Sequence, residues 1–187
     1  MRKAAQVVTQ SAEETRALAA LVAPLCRAGD VVLLVGDLGA GKTTFAQGFA
    51  AGLGVEGPVT SPTFALVRQY RCRAGSPVST LIHADVFRTS SLDEIAGLAL
   101  AELVEEDAVA LVEWGDVAAP ALGADALEIT LAAPDPVGSQ ERRTLAVHGR
   151  GAWSGRADAV AEALAQAQAE AQAGRPAPAP APAPMTQ

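Results

Sequence analysis

The densest chemical signal in the chain is Gly36-Asp37-Leu38-Gly39-Ala40-Gly41-Lys42-Thr43, followed by Thr44. It fits the phosphate-loop pattern G-x-x-x-x-G-K-[ST]. Glycines at this spacing let backbone N–H groups turn inward around phosphate oxygens. Lys42 would place a point charge on the β- and γ-phosphates, and Thr43 would offer its hydroxyl to Mg²⁺. The chain contains two lysines, Lys3 and Lys42, and no asparagine. A lysine retained against that compositional bias strengthens the reading. The expected cradle comprises Asp37, Leu38, Gly39, Ala40, Gly41, Lys42, Thr43 and Thr44.

Such a loop works with an acid at the tip of a neighbouring strand, and two are available. Leu81-Ile82-His83-Ala84-Asp85 ends one apolar run and Val109-Ala110-Leu111-Val112-Glu113 ends another. Either carboxylate could hold Mg²⁺ or orient an attacking water. Ser61-Pro62-Thr63 occupies the place of a switch segment that senses the γ-phosphate. Trp114 could stack near the nucleotide. His83 is more ordinarily structural, and Arg88 could pair with Asp85 or reach phosphate. An N-K-x-D guanine-reading motif is absent, which favours ATP over GTP. Arg68, Arg71 and Arg73 surround an expected hairpin, and no separate arginine-rich lid stands out. Hydrolysis coupled to conformational change is therefore favoured. A small phosphotransferase and a nucleotide-sensing module without useful turnover are the alternatives on the same fold.

The elements that must position these residues are legible in outline. Ser11 caps a helix with Glu13 and Glu14 in its first turn and apolar residues at Leu18, Leu21, Val22 and Leu25, ending at Gly29-Asp30. Val31 to Val35 reads as a buried parallel strand and Lys42 to Leu53 as a helix. Phe64 to Tyr70 and Val78 to Ala84 read as a strand pair. Leu92 to Glu106 reads as a helix and Ala108 to Val112 as a buried strand. Leu127 to Leu131 and Thr144 to His148 read as an antiparallel pair. The expected fold is α/β: a single P-loop domain, residues 1–152, with a central, mostly parallel sheet, some antiparallel strands and flanking helices. Residues 153–173 read as an Ala-rich helix fraying outward beyond Leu164. Residues 174–187 read as a disordered Ala-Pro tail.

Composition narrows the class. The 187 residues include 42 alanines, so the core rests on a modest set of larger apolar side chains. A net charge of −7 disfavours direct binding to nucleic acid or an anionic membrane. Cys26 and Cys72 read as reduced thiols in a cytoplasmic protein. No signal peptide or membrane-spanning run is expected.

In order and spacing, Gly36 to Phe45, Ser61-Pro62-Thr63-Phe64, His83-Ala84-Asp85-Val86-Phe87-Arg88 and Val112-Glu113-Trp114 resemble the bacterial TsaE family. The resemblance runs from about Ala5 to Arg150. It implies an ATP- and Mg²⁺-dependent ATPase, weak alone, within tRNA threonylcarbamoyladenosine biosynthesis. It further implies work with TsaB and TsaD subunits, with tRNA reached through them. By position, Lys42 would hold phosphates, Thr43 and Glu113 would hold Mg²⁺, and Asp85 would act in Mg²⁺ placement or catalysis. Thr63 would be the switch threonine and Trp114 a nucleotide contact. Arg143 falls where the family often has arginine. The chain departs at Val86-Phe87, where the family often has Leu-Tyr, and at Gly115-Asp116, where it often has Pro.

Overall fold

A computed structural model describes residues 6–89, 91–104, 107–133 and 141–173. Seven strands form one mixed sheet: β1 (Gln6–Thr9), β2 (Val31–Val35), β3 (Val67–Arg71), β4 (Thr80–Asp85), β5 (Ala108–Glu113), β6 (Ala126–Ala132) and β7 (Arg143–Arg150). Their order is β1-β7-β6-β2-β5-β4-β3. The central β6, β2, β5 and β4 are mutually parallel, and β1, β7 and β3 run antiparallel at the margins. The β-branched and leucine-rich runs of β2 and β5 suit strands buried on both faces.

Helices cover both faces. On one side lie α1 (Ala12–Val22), α2 (Lys42–Gly52) and α6 (Ala157–Ala173). On the other lie α3 (Leu92–Gly97), α4 (Leu100–Val104) and α5 (Gly115–Leu122). Phe45, Phe49, Leu18 and Leu34 belong to the first core, and Leu33, Ile82, Ile95 and Val112 to the second. The alternation of Leu33 and Leu34 between cores shows the two-residue period of a central strand. α1 and α2 approach closely at Gly48, where a Cβ would stand 2.2 Å from the Arg16 carbonyl oxygen. α6 is anchored by Val160 and Leu164, preceded by the buried Trp153, and Gln168 donates to the Val8 carbonyl at 3.1 Å.

Several expected elements differ. The first helix ends at Val22 and continues as a 3-10 turn, Ala23–Leu25, because Pro24 enters there. The strand expected from Phe64 begins at Val67, since Leu66 adopts a left-handed φ of 63° and breaks extended pairing. The single helix expected over Leu92 to Glu106 is two helices, separated at Ala99 with φ 51°. Strand β1 and helix α5 were not expected. Glu105, Glu106 and the Ala-Pro tail lie outside the described residues. No helix among the described residues is long and apolar enough to cross a membrane.

Candidate functional site

The site lies at the carboxyl ends of β2, β5 and β4, where ligands bind in open α/β sheets. β2 ends at Val35, and the glycine-rich loop carries the chain into α2. Gly36 is required at the turn: its φ is 148°, and a Cβ would stand 2.2 Å from the Leu131 carbonyl oxygen on β6. Gly41 caps α2 at φ 101°, a left-handed conformation. The first-turn N–H groups of α2 and the positive end of its dipole therefore face the loop.

Lys42 is buried and folds back over the loop. Its Nζ donates to the carbonyl oxygens of Gly36 at 2.6 Å and Asp37 at 2.9 Å. Burial holds the ammonium below its ordinary pKa of 10.5, and the carboxylates of Glu113, Asp85, Asp116 and Asp37 oppose that shift. The Trp114 ring lies 3.7 Å from Nζ and stacks on Phe87 at 4.7 Å between centroids. Trp114 itself adopts φ 63°, a strained backbone held where β5 hands over to α5.

Sheet register sets the two acids side by side. Asp85 pairs with Glu113 across β4 and β5, and Leu34 of β2 pairs with Glu113 on its other side. The Thr43 hydroxyl reaches both carboxylate oxygens of Glu113 at 3.0 Å. Asp85 is held from the other side: Ser61 and Thr63 donate to Oδ2 at 2.5 and 2.9 Å, and the Phe87 N–H donates to Oδ1 at 3.0 Å. These groups line a cleft of about 500 Å³ that also takes in Leu38, Gly39, Thr44, Arg88 and Arg143. A smaller recess of about 80 Å³ lies beside it, lined by Ala12, Thr15, Gly41, Thr44, Glu141 and Arg143.

The structure thus brings together Lys42, Thr43, Thr63, Asp85, Glu113 and Trp114. Asp37 contributes its carbonyl to Lys42, while Leu38 projects outward, 81% exposed. Ala40 is buried against the core, so its side chain packs and only its backbone can serve a ligand. Three contributors were undervalued in the sequence. Ser61 binds Asp85 as closely as Thr63 does. Arg143 reaches the Gly39 carbonyl at 3.2 Å from strand β7. His83 is fully buried and contacts Glu113 at 3.0 Å. The period-two alternation of β4 was the signal for His83, because it places residue 83 on the same face as Asp85.

The donor set fits a hard divalent cation: one hydroxyl and one carboxylate, at 3.0 Å from each other, beside the glycine-rich loop and the Lys42 ammonium. No group of three or more His, Cys, Asp or Glu that could hold a metal by themselves occurs among the described residues. A cation here would draw most of its shell from phosphate and water, as Mg²⁺ does.

The family described as "Threonylcarbamoyl adenosine biosynthesis protein TsaE" matches residues 9–144. A Bacillus subtilis tRNA threonylcarbamoyladenosine biosynthesis protein TsaE is 43% identical over 123 residues, covering 66% of this chain and 74% of that protein. The Streptomyces coelicolor protein of the same name is 40% identical over 144 residues, covering 76% of this chain and 95% of its own length. The crystal structure of Bacillus subtilis YdiB superposes with a TM-score of 0.67 at 32% identity, covering 89% of this chain and 97% of that one. The match takes in every residue of the cleft from Leu38 to Arg143, and on it the chain belongs to the TsaE family.

Proposed function

We propose that the protein is a Mg²⁺-dependent ATPase, weak alone, that serves tRNA threonylcarbamoyladenosine biosynthesis in the cytoplasm together with TsaB and TsaD subunits. The observation that carries this reading is the alignment of Lys42 and Thr43 with Glu113 and Asp85 on adjacent strand tips. Lys42 exchanges its two loop carbonyls for phosphate oxygens, retaining its charge in a site where low dielectric strengthens the attraction. Thr43 and Glu113 hold Mg²⁺, which when bound supplies charge neutralisation across the phosphates. Asp85 or Glu113 orients the attacking water. Thr63 and Ser61 tie the segment before β3 to Asp85, so a change at the strand tip moves that segment. Trp114 and Phe87 stack to form one wall of the cleft beside Lys42.

The acidic chain reaches tRNA through its partners. The test is Mg-ATP hydrolysis by the purified protein, alone and with TsaB and TsaD, with Lys42→Ala as control. Slow hydrolysis that changes with the partners and is lost in the variant is expected. Transfer of γ-labelled phosphate to a metabolite instead of water would replace this reading with a phosphotransferase.

A further inference from the structure

Side chains on β4 alternate between the two cores. Ile82 and Ala84 belong to the core under α3, α4 and α5, whereas Leu81 faces α2. His83 and Asp85 follow Leu81 onto that second face. On β5, Leu111 faces α2 and Val112 the opposite core, so Glu113 shares the face of His83. The register sets His83 opposite Leu111 and Asp85 opposite Glu113, making His83 the diagonal neighbour of Glu113.

From there the imidazole Nε2 lies 3.0 Å from Glu113 Oε1. An ionised carboxylate only accepts, so the proton of this contact resides on Nε2. His83 Nδ1 is buried and has no hydrogen-bond partner among the described residues. A leucine or phenylalanine would fill the same space without burying an unpaired nitrogen. Packing therefore does not account for a histidine at this position, and its bond to Glu113 does. The contact also breaks a symmetry. Thr43 stands 3.0 Å from both carboxylate oxygens and does not select between them. His83 contacts Oε1 from inside the sheet and so fixes the rotation of the carboxylate.

We propose that His83 is a positioning residue: it orients the Glu113 carboxylate so that this group and the Thr43 hydroxyl present a ready pair of oxygens to Mg²⁺. The inference rests on the reading above that Thr43 and Glu113 hold the cation. Groups that hydrogen-bond a ligating carboxylate in this way contribute about 10- to 100-fold in metal affinity.

The experiment measures binding of a non-hydrolysable ATP analogue to the full chain by calorimetry, with and without Mg²⁺. In the wild type, Mg²⁺ tightens binding. In His83→Leu the metal-free affinity stays within about twofold, and the gain from Mg²⁺ falls about tenfold. His83→Gln, which keeps a donor near the Nε2 position, restores most of the gain. In a Glu113→Gln background, His83→Leu costs no further Mg²⁺ gain, since its target is already altered. A folded His83→Leu protein with the wild-type Mg²⁺ gain overturns the proposal, as does an undiminished loss in the Glu113→Gln background. If His83→Leu fails to fold by circular dichroism, His83→Phe against His83→Gln makes the same decision. Failure of Mg²⁺ to tighten binding even in the wild type overturns the underlying metal assignment along with the inference.

Discussion

At the amino ends of the parallel strands, Asp30 precedes β2 and is largely buried in a clasp. Arg156 donates to its two carboxylate oxygens at 2.7 Å each, and the Arg27 N–H donates to it at 2.6 Å. The same guanidinium lies 3.8 Å over the Trp153 ring and reaches the Leu25 carbonyl at 3.0 Å. At the carboxyl ends, Lys42, Asp85 and Glu113 are equally buried but are held by hydroxyls, a histidine and loop carbonyls instead of by a matched countercharge. One end pairs its charges into a bidentate clasp that ties α6 to the sheet. The other leaves Lys42 and its acids side by side around an open cleft, with Trp114 and Leu66 in left-handed conformations nearby. Charge closed into a bidentate ion pair fixes the fold, and charge held by hydroxyls and loop carbonyls can be redirected to a ligand.

The largest effect that separates the two ends is expected from Lys42→Ala. Nucleotide affinity and turnover should fall about 100-fold or more, because the variant loses the charge that faces the phosphates. The melting temperature should stay within a few degrees, since burial already disfavours that ammonium in the fold. Calorimetric titration and thermal unfolding of the same preparation check both halves. A large fall in melting temperature would mean that the site end is structural after all.

Arg156→Ala should show the reverse pattern. Removing one partner leaves Asp30 largely buried without its countercharge, and the Trp153 face loses its cation. The pair is partly open to water, so we expect a loss of about 2 kcal/mol, or ~4–8 °C in melting temperature for a chain of this size. Nucleotide affinity should remain within about twofold. Denaturant unfolding against calorimetry separates these outcomes, and a tenfold loss of affinity would show that the two ends are mechanically coupled.

The same contrast governs how much could be read from the residues alone. The parallel core was legible because Val31 to Val35 and Ala108 to Val112 are unbroken apolar runs, and the phosphate loop because its residue types are adjacent in sequence. The places of Asp85 and Glu113 at strand ends were legible from the apolar runs before them. What escaped depends on tertiary context. β1 is a four-residue margin strand placed by its pairing with β7 and by contacts with α6. α5 begins at a glycine and contains Pro120, so its local sequence reads as a loop. The break at Ala99 follows Gly97, a single glycine inside an apolar, helix-like run that does not by itself end a helix. Phe64 carries a strand-like side chain but is 86% exposed in a turn beneath Arg88, 4.4 Å from its guanidinium. The Asp30–Arg156 clasp spans 126 positions, and nothing local marks either residue.

The smallest expected effect comes from Cys26, which lies in the core near the clasp. Burial, reinforced by the Asp30 charge and opposed by Arg156, pushes its thiol from the ordinary 9.0 up to about 12. Between those values the unfolded chain releases a proton that the folded chain retains. Stability then falls as pH rises through that window, and below pH 9 the contribution is fully present. At pH 10, one unit above the unfolded value, the loss amounts to about 1 kcal/mol. Cys26→Ala keeps a small apolar side chain and removes the ionisation, so its stability should decline less between pH 9 and pH 10 than that of the wild type. Lys42 acts with the opposite sign. Its lowered value means that the folded chain gives up its proton first, and stability gains as pH rises toward 10.5. Urea unfolding at pH 8, 9 and 10 of the wild type, Cys26→Ala and Lys42→Ala should therefore spread the three slopes apart, Lys42→Ala falling most steeply and Cys26→Ala least. Parallel slopes would show that neither buried group changes its proton affinity on folding, and the contrast between the two ends would then rest on hydrogen-bond geometry alone.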